Sequence, residues 1–317
     1  MARQFSRPAT ATATMAIACT GLTKDYGNGH GVFDLDLSVR SGEVFGFIGP
    51  NGAGKTTTIR LLMDLIRPDR GSVAVLGLDS RRDSLAVKRR IGYLPGELVS
   101  FPGVTAGYVI GLLAGVRGGV DPARIAALAE RFDIDLGRRY ETLSHGNKQK
   151  VGLIQAFMHQ PDLVVLDEPT LGLDPLIQRE FRHLIKETAA AGATVFLSSH
   201  VLSEVEAVCD RIGLIRGGRL DRVGSLNELR AMRIHRVEAR FTGGLSAADV
   251  AHAPGVTEPH IDDHLFTCAV HGDISPLLNI LSGADVIELD SHEMSLEEVF
   301  LGELDQVAPA AQPAAGG

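Results

Sequence analysis

Tryptophan is absent from this sequence of 317 residues, only 5% of its residues are aromatic, and cysteine occurs three times. The missing tryptophan decides nothing. Cys19, Cys209 and Cys268 lie far apart and show no paired metal-ligand spacing, which argues against a disulfide framework or a zinc module. They read as isolated small hydrophobes in a reducing compartment. No stretch reaches the roughly 18 to 20 apolar residues that a bilayer-spanning helix needs. Positive charge is not in excess either. The formal net charge of −8 gives no general electrostatic reason to bind nucleic acid or an anionic membrane, a local basic patch aside. Residues 1–14 are rich in Arg, Ala and Thr and lack the continuous apolar core of a secretory leader, so a disordered tail is expected. The whole sequence is ordinary for a soluble globular protein, at 44% hydrophobic and 22% charged. It is long enough for one large core and a small second domain.

The stretch Gly49-Pro50-Asn51-Gly52-Ala53-Gly54-Lys55-Thr56-Thr57 matches G-x-x-x-x-G-K-[ST]. Val44 to Ile48 before it reads as a short buried strand, and Lys55 to Ile66 after it has apolar residues at helical spacing. Glycines permit a turn so tight that successive N–H groups point inward at phosphate oxygens, and the helix N-terminus adds partial positive charge. Lys55 is placed to reach the β- and γ-phosphates, and Thr56 to set its hydroxyl on Mg²⁺. A glycine-rich turn matching by chance is the competing reading; the strand–loop–helix context argues against it.

A second anchor is Leu163-Val164-Val165-Leu166-Asp167-Glu168-Pro169. Apolar β-formers ending in two acids predict a buried parallel strand that delivers carboxylates to its C-terminal edge, where open α/β sheets bind ligands. Asp167 is expected to support Mg²⁺, directly or through water, and Glu168 to act as general base on an attacking water. His200 follows the predicted strand Thr194 to Ser198. It either bonds a γ-phosphate or polarises that water, or is structural. Tyr26 likewise has two readings, a ring stacked on a purine face or a half-buried core tyrosine.

Around these anchors, strands are expected at Met15 to Cys19 (an edge strand), Val32 to Val39, Ser72 to Leu76 and Arg90 to Leu94. Pro68-Asp69-Arg70-Gly71 reads as a turn, and Leu85 to Arg89 as a short helix. Helical runs at Ala106 to Leu113 and Arg124 to Phe132 suggest a helical insertion in an α/β core. Leu143-Ser144-His145-Gly146 precedes an expected helix running to about His159, and another is expected over Glu180 to Ala190. A closing hairpin is expected over Arg211 to Leu220.

With these motifs in order from Tyr26 to His200, the chain resembles the ATP-binding subunits of ABC transporters. The resemblance implies an α/β P-loop NTPase of ABC ATPase type spanning 15–224, with a helical subdomain at about 97–160. It makes Tyr26 the adenine-stacking aromatic, Leu143-Ser144-His145-Gly146-Asn147 the signature, and Asp167-Glu168 the Walker B end with its catalytic glutamate. Leu171-Gly172-Leu173-Asp174 resembles the dimer-contacting D-loop, with Leu173 and Asp174 its key residues, and His200 the switch histidine. It implies ATP and Mg²⁺ as cofactors and a head-to-tail homodimer in which the signature acts on the partner's ATP. It further implies attachment to the inner membrane face through a permease on a separate chain.

Two positions depart from the family pattern. Tyr93-Leu94-Pro95 is followed by Gly96-Glu97 where a glutamine is usual. Glu97 either takes the Mg²⁺-side role, a carboxylate being a good hard-cation ligand, or faces solvent or the permease. His145 replaces the commonest glycine of the signature, which matters only if that position needs a positive φ.

In the last hundred residues, Ser225-Leu226-Asn227-Glu228 matches a capping box for a short helix. Strands at Val237 to Phe241, Thr257 to Ile261, Leu265 to Val270 and Val286 to Leu289 flank a helix over Ile274 to Leu281. Ser295-Leu296-Glu297-Glu298 is expected to cap a final helix through Leu304. The pattern predicts a small α+β accessory domain over 225–304 and a disordered tail over 305–317. The ending Ser295 to Leu301 resembles bacterial drug-resistance and ABC-2-type exporters, implying an ABC-2-type permease and export. An importer subunit or a soluble non-transport ABC ATPase are the alternatives. His235, His252, His260, His264, His271 and His292 show no tight ligand spacing, so no stable metal beyond Mg²⁺ is expected.

Overall fold

The structure is a computed structural model that describes residues 14–226, 234–245, 250 and 253–293. The chain divides into two units, the first ending at Gly224 and the second beginning at Ser225.

In the first unit, one sheet is antiparallel: β1 (Met15–Gly27), β2 (His30–Arg40), β4 (Arg70–Val75) and β5 (Leu78–Asp79), in spatial order β2-β1-β4-β5. The expected edge strand is therefore an inner one. β1 is paired along both sides, by β2 and by β4, with Ile17, Cys19 and Leu22 buried beneath it. Alternation reports which face of a strand is covered, not how many neighbours bond its backbone. Arg70 and Gly71, expected in a turn, open β4 instead.

The second sheet holds β3 (Val44–Ile48), β6 (Ile91–Leu94), β7 (Leu163–Asp167), β8 (Thr194–Ser199), β9 (Arg211–Arg216) and β10 (Arg219–Ser225), in order β10-β9-β3-β8-β7-β6. From β9 to β6 every pairing is parallel. β3, β7 and β8 are buried at every residue, as strands covered on both faces must be. Phe45, Phe47 and Phe196 fill the core, with ring centroids 5.9 and 5.5 Å apart. This parallelism matters for function, because it brings the C-terminal ends of β3, β7 and β8 to one edge.

Helix α1 (Lys55–Leu62) ends four residues before the expected Ile66. Asp64 takes a φ of 50°, and the Leu65 N–H bonds back to the Arg60 carbonyl at 2.9 Å. Helix α2 (Ser84–Arg89) precedes β6, and α3 (Ala106–Val116), α4 (Pro122–Arg131) and α5 (His145–Phe157) form the insertion between β6 and β7. Helix α6 (Pro175–Ala190) starts five residues before the expected Glu180. Asp174 caps it by accepting from the Leu176 and Ile177 N–H groups at 3.1 and 3.0 Å, and Pro175 occupies the first turn. The short α7 (Leu202–Glu206), not anticipated, follows β8.

The second unit contains β11 (Ile234–Phe241), β12 (Val256–Asp262), β13 (Leu265–His271), α8 (Ser275–Leu281) and β14 (Val286–Glu293). Its strands are antiparallel in order β12-β13-β11-β14, so β13 and β14 straddle β11 in a split β-α-β arrangement. Phe266, Val270, Leu277 and Leu281 are in its core, and Pro276 lies in the first turn of α8 as its ring requires. The helix expected after Ser225-Leu226 and the one from Ser295 lie outside the described residues, as do His252 and the tails at 1–13 and 305–317.

The insertion is tied to the core by a partly buried polar cluster. Arg117, after α3, donates to the Ile91 carbonyl at 3.1 Å and lies 2.7 Å from His159 Nε2. Burial, and then the Arg117 cation, push the His159 imidazole from 6.5 down to about 4. The folded chain therefore keeps His159 neutral while the unfolded chain takes up a proton as pH falls below 6.5. This contribution to stability is complete above that pH and declines as pH falls through the window toward about 4. Urea midpoints at pH 7 and pH 5 should fall further for the wild type than for His159→Gln, which removes the titration.

Candidate functional site

Gly49 to Thr57 bridge the end of β3 and the start of α1, and the loop bends where glycine alone is comfortable. Gly54 has a φ of 109° and supplies the carbonyl that accepts both the Thr58 N–H and the Thr58 hydroxyl at 2.9 Å. The Lys55 side chain is only 6% exposed. It curls back over the loop, donating to the Gly49 and Pro50 carbonyls at 2.6 and 3.2 Å. Its ammonium also lies 3.3 Å from Glu168 Oε1, without hydrogen-bond alignment.

β7 delivers its two acids into different settings. Asp167 is fully buried; its Oδ1 accepts from the Ser198 hydroxyl at 2.6 Å, while Oδ2 has no partner. Glu168 leaves the strand direction by adopting a φ of 49°, a left-handed conformation that costs a non-glycine residue about 1–3 kcal/mol. Its N–H donates to Ser198 Oγ at 3.2 Å. The Gln149 amide, 2% exposed, donates to the Glu168 and Pro169 carbonyls, each at 3.1 Å. The Glu168 Oε2 lies 2.9 Å from Nδ1 of His200, at the end of β8. Lys55, Glu168 and His200 are thus brought together.

Lys55 and Glu168 line a cavity of about 240 Å³ together with Tyr26, His30, Gly31, Pro50 to Gly52, Gly54, Thr56 and Thr57, while Asp167 and His200 do not line it. Tyr26 is 55% exposed, so it belongs to the cavity wall rather than to the core. Sequence reasoning missed His30 and Gly31, which the β1–β2 hairpin places beside Tyr26. It also missed Gln149 and Ser198, whose partners are distant in the chain. The one available signal was a polar residue inside an otherwise buried helix or strand.

The signature lies elsewhere on the unit. Leu143 is buried, and Ser144 caps α5 by accepting from the Asn147 N–H at 3.3 Å. His145 is the first residue of α5 and does not have a positive φ, so replacing glycine there costs no backbone strain. Gly146 packs so closely on the D-loop that a Cβ would meet the Gly172 carbonyl at 2.3 Å. None of these residues lines the cavity. Leu173 is buried and Asp174 acts as the cap of α6.

Glu97 is not brought to the carboxylate end of β7. Its side chain is 93% exposed and lies 3.8 Å from Arg60, so the structure corrects the metal-side expectation in favour of the solvent-facing one. The backbone of Gly96 fills that place instead, since a Cβ there would sit 3.0 Å from Asp167 Oδ2.

Removing the Gln149 amide takes the buried Pro169 carbonyl's donor away and leaves the Glu168 carbonyl only the Leu171 N–H at 3.3 Å. Gln149→Ala should destabilise the fold by about 1–3 kcal/mol, read from its urea midpoint against wild type.

Residues 32–171 match the family model described as ABC transporter. The bacitracin transport ATP-binding protein of Bacillus licheniformis is 33% identical over 308 residues, covering 90% of this chain and 96% of its own length. The daunorubicin resistance ATP-binding protein of Streptomyces coeruleorubidus is 35% identical over 306 residues, covering 91% and 96%. A solved structure of an ATP-binding subunit of an ABC transporter matches with a TM-score of 0.62 and 31% identity, over 68% of this chain and 92% of its own. This chain belongs to the ABC transporter family as an ATP-binding, ATP-hydrolysing subunit.

Proposed function

We propose that the chain drives export of a small antibiotic-like molecule by ATP-dependent head-to-tail pairing of two copies, coupled to an ABC-2-type permease on a separate chain. The observation that carries the reading is that the cavity holding Lys55 and Glu168 contains no signature residue. At about 240 Å³ it is also smaller than the roughly 300–1,000 Å³ of a complete small-molecule site. A second copy supplies the missing wall. Its Ser144 hydroxyl and the N-terminus of its α5 then face the γ-phosphate, where N–H groups and helix dipole favour an anion. His145, exposed beside Ser144, and the exposed Leu171 and Leu176 around Asp174 belong to the same contact.

Within each half, Lys55 leaves Glu168 for the β- and γ-phosphates, and Tyr26 stacks on the adenine. Asp167 fits a metal site: a buried carboxylate oxygen without a partner is what a cation satisfies. Thr56 and Asp167 would hold Mg²⁺, which when bound neutralises phosphate charge. Glu168 accepts the proton of the attacking water, and His200 orients the carboxylate and bonds the γ-phosphate.

Coupling to the permease is carried by a groove of about 400 Å³ lined by Met63, Leu65, Tyr93, Leu98, Phe101 and Val109. Leu65 and Val99 at its rim are 52% and 65% exposed. An apolar helical segment of the permease suits it. Pro95-Gly96 joins this groove to Asp167, so a shift at the carboxylate reaches the permease through one short loop. No described helix is long and apolar enough to cross a membrane, which fits a permease on another chain and a place at the inner membrane face. The antibiotic transport and resistance named for the relatives support the cargo class.

Glu168→Gln should lower Mg²⁺-dependent ATP turnover at least about 100-fold. It should retain nucleotide and double in mass by light scattering on adding ATP. Unchanged turnover, or a monomer at saturating ATP, contradicts the reading.

A further inference from the structure

We infer that Glu204 is a positioning residue that sets the distance between Glu168 and His200. This rests on Glu168 and His200 being the hydrolytic pair proposed above. Glu204 lies on α7, directly after His200, and its Oε2 accepts the Thr170 hydroxyl at 2.5 Å. The same oxygen lies 3.1 Å from the Ser199 hydroxyl, which has the Val201 carbonyl as a second acceptor at 3.2 Å. Thr170 follows Glu168 by two residues and precedes the D-loop; Ser199 directly precedes His200. Both hydroxyl residues are buried, at 9% and 1% exposure.

The contacts close a small ring. It runs from Glu168 through Pro169 and Thr170 to the Glu204 carboxylate, then through Ser199 to His200, and back across the 2.9 Å contact to Glu168. The Ser198 hydroxyl already ties the strand ends through the Glu168 N–H and Asp167; the Glu204 carboxyl oxygen adds a second tie on the loop side, between Thr170 after the base and Ser199 before the histidine. A hydroxyl held by a carboxylate is a short, strong bond, and here it is partly buried. His200 is itself 42% exposed and lies in a bend, so its own surroundings do little to fix it. Without the clamp, the base and its orienting imidazole are free to separate, and misplacement by about 1 Å can cost about 100-fold in rate. The nucleotide cavity does not include Glu204, so binding is left alone.

The role asks for an acceptor oxygen, not for charge. Steady-state ATP hydrolysis by the full chain with Mg²⁺ separates the possibilities. Glu204→Ala should lower kcat by about 10- to 100-fold with KM for ATP within about twofold. Glu204→Gln, whose amide oxygen still accepts both hydroxyls, should recover most of the loss. Thr170→Val, which deletes one arm in place, should lower kcat in the same direction and covers the case in which Glu204→Ala fails to fold. ATP-driven association should be intact in every folded variant. Wild-type kcat in both Glu204→Ala and Thr170→Val overturns the assignment, as does an equal loss in Glu204→Gln or a loss confined to KM. If wild-type turnover instead survives Glu168→Gln, the hydrolytic pair itself is misassigned, an outcome distinct from any result at Glu204.

Discussion

The backbone of Glu168, at a φ of 49°, is the constraint on which the rest of the first unit depends. A strand that simply continued would alternate its side chains and carry the second acid away from the first. The left-handed turn lets Asp167 finish the buried strand while Glu168 swings its carboxylate to Lys55 and His200. Such a conformation persists only where surrounding structure over-determines it. Here the N–H is bonded by Ser198, the carbonyl by Gln149 and the carboxylate by His200. Those three partners come from β8, from α5 of the insertion, and from the end of β8. The parallel sheet and the helical insertion are both needed to place one carboxylate.

Glycines at Gly49, Gly52 and Gly54, the acid pair at Asp167 and Glu168, and their places after apolar strands made the phosphate loop and its carboxylates legible in the sequence. Turn chemistry and strand burial are local, and local rules reach them. The inner position of β1 was not legible, because backbone pairing leaves no mark on side-chain alternation. Gln149 and Glu204 carry no local signal of their contacts, because Gln149 reaches Glu168 and Glu204 reaches Thr170 across 19 and 34 positions of chain. Glu97 was misplaced for a chemical reason. A carboxylate next to an empty ligand position suggests substitution, but the chain turns at Gly96, and the side chain exits to solvent beside Arg60. The start of α6 was readable in retrospect, since Asp174-Pro175 is a cap followed by a first-turn proline.

The second unit shows the opposite balance. Its four strands and one described helix followed from alternation and from Pro276, yet no cluster of charged or metal-ligating groups in its described residues points to chemistry. Cargo is equally distant from the first unit, whose polar groups are spent on phosphate and on holding Glu168. What the first unit lacks is a wall. Its own Ser144 does not line the cavity it would serve, so the proposed reaction takes two copies.

Mixing two inactive chains tests that requirement most directly. Lys55→Ala removes the phosphate-loop cation from both sites of its own pair, and Ser144→Arg blocks both signatures of its own. A mixed pair holds one site with an intact loop from the Ser144→Arg chain and an intact signature from the Lys55→Ala chain. ATP turnover measured across mixing ratios should be absent for either chain alone and rise to a maximum near equal amounts. Full turnover by Ser144→Arg alone, or none at any ratio although mixed pairs form, would contradict a site shared between two copies.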